Sequence, residues 1–351
     1  MRNEQLVTAL ERIAERINIV NDKKYWMIRT DNGANFDTFV EGGFVALNLR
    51  NYPTQFIAQF QQDYPNVSDR VFHIKQKLIE LNRERIINIP IQEHMPAFSS
   101  NIGRLAKQIS TIAYTIKKED IVLIPDRGAN RIRIGRVTDD SINNVGNRNN
   151  NFSFSRSVEW IKEIKKYRLD PCLYKALGAH QAICDISKYS EYIERNYISY
   201  FAVNDTFHYV LAVNAENISA WKLTNMVYDI LNCVKTISEE NDLGINVEDI
   251  NFTINVNSPG KFSFLTTARN AVLIMAVVAA LSGGSIRYND FEIATEGAFG
   301  SLVECINTWK NAQQDREQKA RIFDALMDSL ELQSVEASND AFDEEEQNLE
   351  D

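Results

Sequence analysis

Cysteine and histidine are both scarce in this chain of 351 residues, which holds four of each. Cys172, Cys184, Cys233 and Cys305 lie far apart and form no CxxC pair, so the sequence indicates neither a zinc site nor a disulfide framework. No histidine belongs to an HExxH motif or pairs with a cysteine in a recognisable pattern. We therefore expect no metal, no cofactor and a reducing, cytoplasmic location.

Two common catalytic motifs are also missing. The chain has no GxxxxGK[ST] phosphate loop and no GxSxG nucleophile turn, and SPGKFS at residues 258–263 shares only a Gly-Lys pair with the former. One enzyme alternative stays open, a metal-dependent nuclease in which Asp139 or Asp140 and Glu163 hold magnesium and Lys165 positions the attacking water. Apart from this alternative, the sequence favours a protein that is not an enzyme.

Long apolar runs are absent except for AVLIMAVVAAL at residues 271–281. This run has about half of the roughly 20 residues that a membrane-spanning helix needs. Arg269 precedes it and two glycines follow it, so we expect a buried helix and no membrane partner. Membrane association of the C-terminal half is the alternative. The N-terminal helix is charged throughout and lacks the apolar core of a signal peptide.

Charge is distributed unevenly around a formal net value of −10. Residues 336–351 are acidic and hold no basic residue, whereas basic residues outnumber acidic ones in residues 101–168. An acidic end of this kind predicts a disordered, solubilising tail, and a basic segment favours contact with a polyanion.

The apolar residues follow both helical and strand periods, which predicts an α+β fold. Short strands are expected at residues 24–29, 44–48, 121–124, 132–137 and 152–161, with helices between them and an Asn-rich loop at 141–151. The pattern changes after Pro171. We therefore divide the chain into residues 1–168, residues 169–335 and the tail 336–351.

Five segments of the first half, taken in order, resemble the PUA-like superfamily and in particular its EVE-type and YTH-related modules. The matching segments are YWMIR (25–29), GFVALN (43–48), EDIVLI (119–124), IRIGRV (132–137) and VEWI (158–161). Glu119 departs from the glycine that these modules usually have there. The resemblance implies an N-terminal β-barrel with helical insertions, followed by an unrecognised α+β domain.

The resemblance also implies a function, which is the recognition of a modified base in DNA or RNA by flipping it from the stack. Modules of this type occur beside bacterial restriction and anti-phage genes. Residues 169–335 would then bind a protein partner or a second copy of the chain, or act as an effector.

Residues with suitable chemistry lie at or near these motifs. Trp26 would pack against the base, Asn48 would read its edge, and free backbone N–H groups at the start of a helix would hold a phosphate. Basic side chains would contact further phosphates. The candidate residues are Trp26, Asn48, Ser99, Ser100, Asn101, Arg104, Lys107, Arg127, Arg131, Arg133 and Arg136. Equally open are a core role for Trp26, a turn role for Asn48 and a solvated strand face for the arginines.

Overall fold

The computed structural model describes residues 3–15, 23–47, 54–83, 95–146, 151–178, 181–203, 205–213, 219–255, 260–282, 298–311 and 332–334. The chain divides into two compact units. The first unit is residues 23–190, and the second unit combines residues 1–22 with residues 191–351. Both units mix helices and strands, which confirms the predicted α+β class.

The helices and strands are numbered here in chain order. The helices are α1 (Asn3–Glu15), α2 (Phe36–Gly42), α3 (Phe56–Asp63), α4 (Val67–Leu81), α5 (Met95–Ser110), α6 (Tyr174–Leu177), α7 (Ser190–Glu194), α8 (Ala220–Glu240), α9 (Ala268–Leu281) and α10 (Ala298–Asn311). The strands are β1 (Tyr25–Ile28), β2 (Phe44–Leu47), β3 (Ile121–Pro125), β4 (Arg131–Val137), β5 (Asn143–Gly146), β6 (Asn151–Lys165), β7 (Ile183–Asp185), β8 (Tyr200–Val203), β9 (Thr206–Val213), β10 (Asn251–Asn255), β11 (Gly260–Thr266) and β12 (Leu332–Ser334).

The first unit is built on a sheet that curls into a half-barrel. Its strand order is β2-β6-β4-β3-β1-β7, and β5 pairs with β6. Among the described strands, β1 and β3 form the one parallel pair, with Tyr25 opposite Ile121. The carboxyl ends of β1 and β3 therefore meet at the same edge of the sheet.

The long strand β6 is the element that curls this sheet. It pairs with β2 and β5 at its start and with β4 at its end, and the register slips in all three pairings. Phe154 is the extra residue opposite Ala46 and Leu47, and it takes a φ of 58° although it is not glycine. Because bulges bend a strand and increase its twist, this 15-residue strand can pair with β2 and β5 along its first half and with β4 along its second half.

Helices α3, α4 and α5 supply apolar side chains to the core of the first unit. Ile74 and Leu78 of α4 and Ala106 and Ile109 of α5 are completely buried and join one apolar cluster with residues of β1, β2 and β3. Two of these helices, α3 and α4, are close in sequence but separate, because residues 64–66 between them are not helical. The Asn-rich loop predicted at residues 141–151 contains strand β5, whose backbone pairs with β6.

The second unit has a five-stranded antiparallel sheet of order β10-β11-β9-β12, with β8 paired to β9. Strands β8 and β9 form a hairpin. Ser219 caps α8, because its Oγ accepts from the backbone N–H of Lys222. Strand β11 begins at Gly260, so the Gly-Lys pair of SPGKFS lies in a strand and not in a phosphate loop.

The apolar run at residues 271–281 lies in α9, and every residue of the run is buried in the core of the second unit. Among the described helices, none has both the length and the apolar content that crossing a membrane requires. The expectation of a buried helix is therefore confirmed.

The two compact units divide after residue 190 and not at residue 168. Strand β7 pairs with β1, so residues up to 190 complete the first unit. Helix α1 belongs to the second unit, since Leu10 and Ile13 are completely buried in its core. The acidic tail at 336–351 lies outside the described residues.

Candidate functional site

A pocket of about 820 Å³ opens in the first unit, beyond the carboxyl ends of β1 and β3. Loops that follow parallel strands are a frequent place for ligand sites, because the strand ends bring them together. The pocket is lined by Arg29, Thr30, Asp31, Asn32, Gly33, Asn35, Ala46, Leu47, Gln108, Pro125, Asp126, Gly128, Ala129, Lys166, Tyr174, Leu177, Gly178 and Ala182.

Two of these loops, residues 29–35 and 125–130, hold each other in place. The Thr30 hydroxyl donates to the carbonyl of Pro125 over 2.5 Å. Gly33 has a φ of 88°, and a Cβ placed on it would lie 2.3 Å from the backbone nitrogen of Arg127. Only glycine fits this approach, so the loop pair depends on Gly33.

The loop after β1 takes an unusual backbone path. Asp31 and Asn32 both have a φ of 55°, and with Gly33 they form three consecutive left-handed residues. Asp and Asn tolerate this region better than other side chains do. The turn therefore presents two polar side chains, both exposed, at the pocket.

Several polar side chains at the pocket have no hydrogen-bond partner within the described part of the chain. They are Asp31, Asn32, Asn35 and Gln108. A carboxylate accepts hydrogen bonds, and an amide both donates and accepts them. The pocket can therefore pair with a ligand that carries donors and acceptors close together.

One side of the pocket is aromatic and basic. The Tyr174 side chain is 40% exposed, and its hydroxyl donates to the carbonyl of Lys166 over 3.1 Å, which fixes the ring. The Nζ of Lys166 lies 5.8 Å from the ring centroid. Tyr167, which follows Lys166 in the chain, is 53% exposed, and the Arg168 guanidinium lies 5.8 Å from the centroid of its ring. An exposed, fixed ring of this kind can stack on a planar ligand.

Trp26 does not line this pocket. It is only 4% exposed and packs in the core of the first unit. Its indole N–H donates to Oδ2 of the buried Asp120 over 2.8 Å. Asp120 also accepts from the backbone N–H groups of Lys24 (3.0 Å) and Lys117 (2.9 Å). Trp26 is therefore a core residue. Other protein groups cover its ring, where the prediction placed a base.

The arginines of β4 are paired with carboxylates. Guanidinium nitrogens of Arg131 and Arg133 lie 3.7 and 3.5 Å from Glu163 on the neighbouring strand. Arg136 lies 3.6 Å from Glu119 and 3.5 Å from Glu159. These ion pairs offset the positive charge that the sequence pattern predicts for this strand.

The three arginines also do not share one face of the sheet. Arg133 pairs with Ile124 and Arg136 with Ile121, which are an odd number of residues apart. Because neighbouring side chains alternate between faces, Arg136 projects on the face opposite to Arg131 and Arg133. Arg136 therefore does not share a basic face with Arg131 and Arg133.

The other predicted contacts are dispersed. Ser99, Ser100 and Asn101 lie inside α5, which begins at Met95, so they do not supply the free N–H groups of a helix start. Arg104 and Lys107 are exposed on the same helix, and Arg104 donates to the Asn101 side chain. Arg127 is exposed in the turn after β3. Asn48 lies outside the described residues.

Arg156 stabilises the fold of the first unit, and the sequence pattern does not indicate this role. It is completely buried, and its guanidinium donates to the carbonyls of Ile112 (2.8 Å), Ala113 (2.9 Å), Ile116 (2.9 Å) and Ser141 (3.2 Å). Three of these carbonyls belong to the π-helical turn 111–115 that ends α5 or to the residue after it. Burial lowers the pKa of Arg156, while Asp140 and Asp139 oppose that shift.

The residues of the nuclease alternative are separated. Glu163 lies opposite Arg133 of β4. Asp139 comes six residues after Arg133, beyond the end of β4, which corresponds to about 20 Å of extended chain. Asp139 accepts from the backbone N–H of Ser141 over 2.7 Å, and Asp140 from that of Lys118 over 2.9 Å. Across the described residues, no group of three His, Cys, Asp or Glu side chains could hold a metal ion.

Comparison of the chain with protein-family models, with curated proteins and with solved structures gives no match. The pocket and the residues around it are therefore the basis for a functional assignment.

Proposed function

We propose that this chain is a non-catalytic nucleic-acid-binding protein and that its first unit is a PUA-like module of the EVE type. The module holds an unstacked, modified base in the pocket beyond β1 and β3. The observation that carries the proposal is the combination, in one pocket of about 820 Å³, of an exposed tyrosine ring with unpaired amide and carboxylate side chains.

The size and composition of the pocket suit a flipped base. Small-molecule sites have volumes of roughly 300–1,000 Å³ and combine apolar surface with a few polar groups that fix orientation. A flipped base is held by stacking and by hydrogen bonds to its edge. Tyr174 would stack on the base, and Asn32, Asn35 or Gln108 would read its edge.

The segment beside the pocket suits the sugar-phosphate strand. Lys166, Tyr167 and Arg168 interleave basic and aromatic side chains, and the exposed Lys175 follows Tyr174. Surfaces that bind single strands combine positive charge along the backbone with aromatic rings for the bases. We therefore assign the phosphate contacts mainly to residues 166–175, and only secondarily to the ion-paired arginines of β4.

The nucleic acid is DNA or RNA, and a role in bacterial restriction or anti-phage defence follows from the family resemblance. In the same proposal, the second unit binds a protein partner or a second copy of the chain.

Replacement of Tyr174 by alanine tests the proposal. We expect the full-length Tyr174→Ala variant to bind fluorescently labelled single strands about tenfold more weakly, because one base–aromatic stack contributes roughly 1–3 kcal/mol. Fluorescence anisotropy at low salt measures the affinity, and higher salt should weaken binding by both proteins.

Tyr228→Ala is the matched control, since Tyr228 is an exposed helical tyrosine of the second unit. This variant should bind like the original chain. Equal affinity of the Tyr174 variant and the original chain would contradict the assigned pocket. No binding to any strand in a panel of modified DNA and RNA would contradict the function itself.

A further inference from the structure

The polar side chains of the pocket lie on one loop and one facing helix. Asp31, Asn32 and Asn35 belong to the loop after β1, and Gln108 belongs to α5. None of the four has a hydrogen-bond partner within the part of the chain that the structure describes. Hydroxyl groups match such a set well, because each hydroxyl can donate to a carboxylate or an amide oxygen and accept from an amide nitrogen.

Tyr174, which also lines the pocket, offers a flat apolar surface. The Tyr174 ring is exposed and held by its own hydroxyl group, so it keeps its orientation without a ligand. A ring of this kind can pack on a base or on the C–H face of a pyranose. The pocket also lies near the upper end of the volumes known for small-molecule sites, which leaves space beside a single base.

A small apolar substituent would suit this space poorly. A methyl group would remove water from Asp31 and its amide neighbours without replacing the lost hydrogen bonds, and such unpaired polar groups disfavour binding. A phosphate group as the substituent on the base would be repelled by the carboxylate of Asp31.

We infer that the pocket selects a base that carries a hydroxyl-rich, hexose-like substituent. The base stacks on Tyr174, and the substituent lies beside the base against the side chains of Asp31 and Asn32, so that Asn35 or Gln108 reads the base edge. This inference rests on the proposed function and adds the chemical class of the modification.

The test compares four single-stranded DNA oligonucleotides that differ at one cytosine. This base is unmodified, 5-methylated, 5-hydroxymethylated or glucosylated on the hydroxymethyl group. We expect the full-length chain to bind the glucosylated strand about tenfold more tightly than the methylated strand, as two or three additional hydrogen bonds would produce. Fluorescence anisotropy gives the affinities.

Asp31→Asn tests the specific residue, because asparagine also tolerates the left-handed backbone at this position. The preference of this variant for the glucosylated strand over the methylated strand should fall from about tenfold to about threefold, since hydrogen bonds to a charged group are the stronger ones. Asp37→Asn is the matched control, because Asp37 lies outside the pocket on α2 and should leave the tenfold preference intact.

The outcomes separate the inference from the proposed function. If the methylated or unmodified strand binds as tightly as the glucosylated strand, the inference is wrong and nucleic-acid binding stands. If methyl β-glucoside alone binds as tightly as the glucosylated strand, the pocket is a sugar site and the base is not required, which also overturns the inference. If no strand binds, both the inference and the proposed function are wrong.

Discussion

At the scale of single residues, Asp120 determines the position of Trp26 in the first unit. Its carboxylate accepts from the Trp26 indole and from two backbone N–H groups, and it is 4% exposed. We expect Asp120→Ala to lower the free energy of unfolding by about 3 kcal/mol, because each buried donor left unpaired costs roughly 1–3 kcal/mol. Urea denaturation followed by tryptophan fluorescence measures the loss.

Trp26→Phe is the companion variant, since it removes only the indole N–H from this network. It should lower the free energy of unfolding less than Asp120→Ala does. The affinity for nucleic acid should stay unchanged, because Trp26 does not line the pocket. If Trp26→Phe weakened binding without lowering stability, Trp26 would have a role in the binding site.

His208 is the residue that makes the stability of the second unit depend on pH. Burial, assisted by the nearby charge of Arg195, lowers the pKa of His208 from 6.5 to about 4. The ring stacks on Phe201 with centroids 4.7 Å apart, and Glu191 lies 3.9 Å from Nδ1. The folded chain therefore holds this imidazole in its neutral form.

Acidification should weaken the second unit through this group. Well above pH 6.5 His208 is neutral in the folded and the unfolded chain. As the pH falls from 6.5 towards 4, only the unfolded chain takes up the proton, and about 3 kcal/mol of stability is lost. We expect the free energy of unfolding, measured by denaturation at several pH values in this range, to depend less steeply on pH in the His208→Gln variant. An unchanged slope would show that other groups cause the pH dependence.

At the scale of elements, the contact between the loops after β1 and β3 shapes the pocket. We expect Gly33→Ala to lower the free energy of unfolding of the first unit by about 1–3 kcal/mol. Alanine is strained at a φ of 88°, and its Cβ would collide with the backbone of Arg127. The same variant should weaken the binding of single strands. Thermal unfolding and anisotropy measure the two effects.

Gly103→Ala is the matched control for this prediction. Gly103 lies inside α5, and a Cβ there would meet no atom within 4 Å. Alanine should therefore stabilise the first unit by about 0.5–1 kcal/mol, the usual difference between the two residues inside a helix. Equal effects of the two substitutions would contradict the role of Gly33.

At the scale of the whole molecule, the chain contains two units that are not successive halves of the sequence. The core of the second unit includes α1, from the start of the chain, whereas the first unit needs β7 to complete its sheet. We expect a fragment of residues 23–190 to unfold in one cooperative transition, as seen by circular dichroism.

A fragment of residues 1–168 should fold less well. It lacks β7 and carries α1 without the core in which Leu10 and Ile13 are buried. Lower stability of the 23–190 fragment than of the 1–168 fragment would contradict the division into units.

The sequence by itself determined the α+β class, most strands of the first unit and the buried nature of α9. These features depend on local periods of apolar residues, which each segment carries independently of its partners. The sequence also identified β1, whose carboxyl end borders the pocket.

Only the tertiary structure decided which residues form the pocket and which stabilise the fold. Thr30 and Pro125 are 95 residues apart in the chain and meet because β1 and β3 pair in parallel. Trp26 is the aromatic residue predicted to pack against a base, yet its indole is held by Asp120, and the buried Arg156 is likewise held by carbonyl groups distant in sequence. The pairing of strands and the partners of polar groups are long-range properties, and no local pattern encodes them.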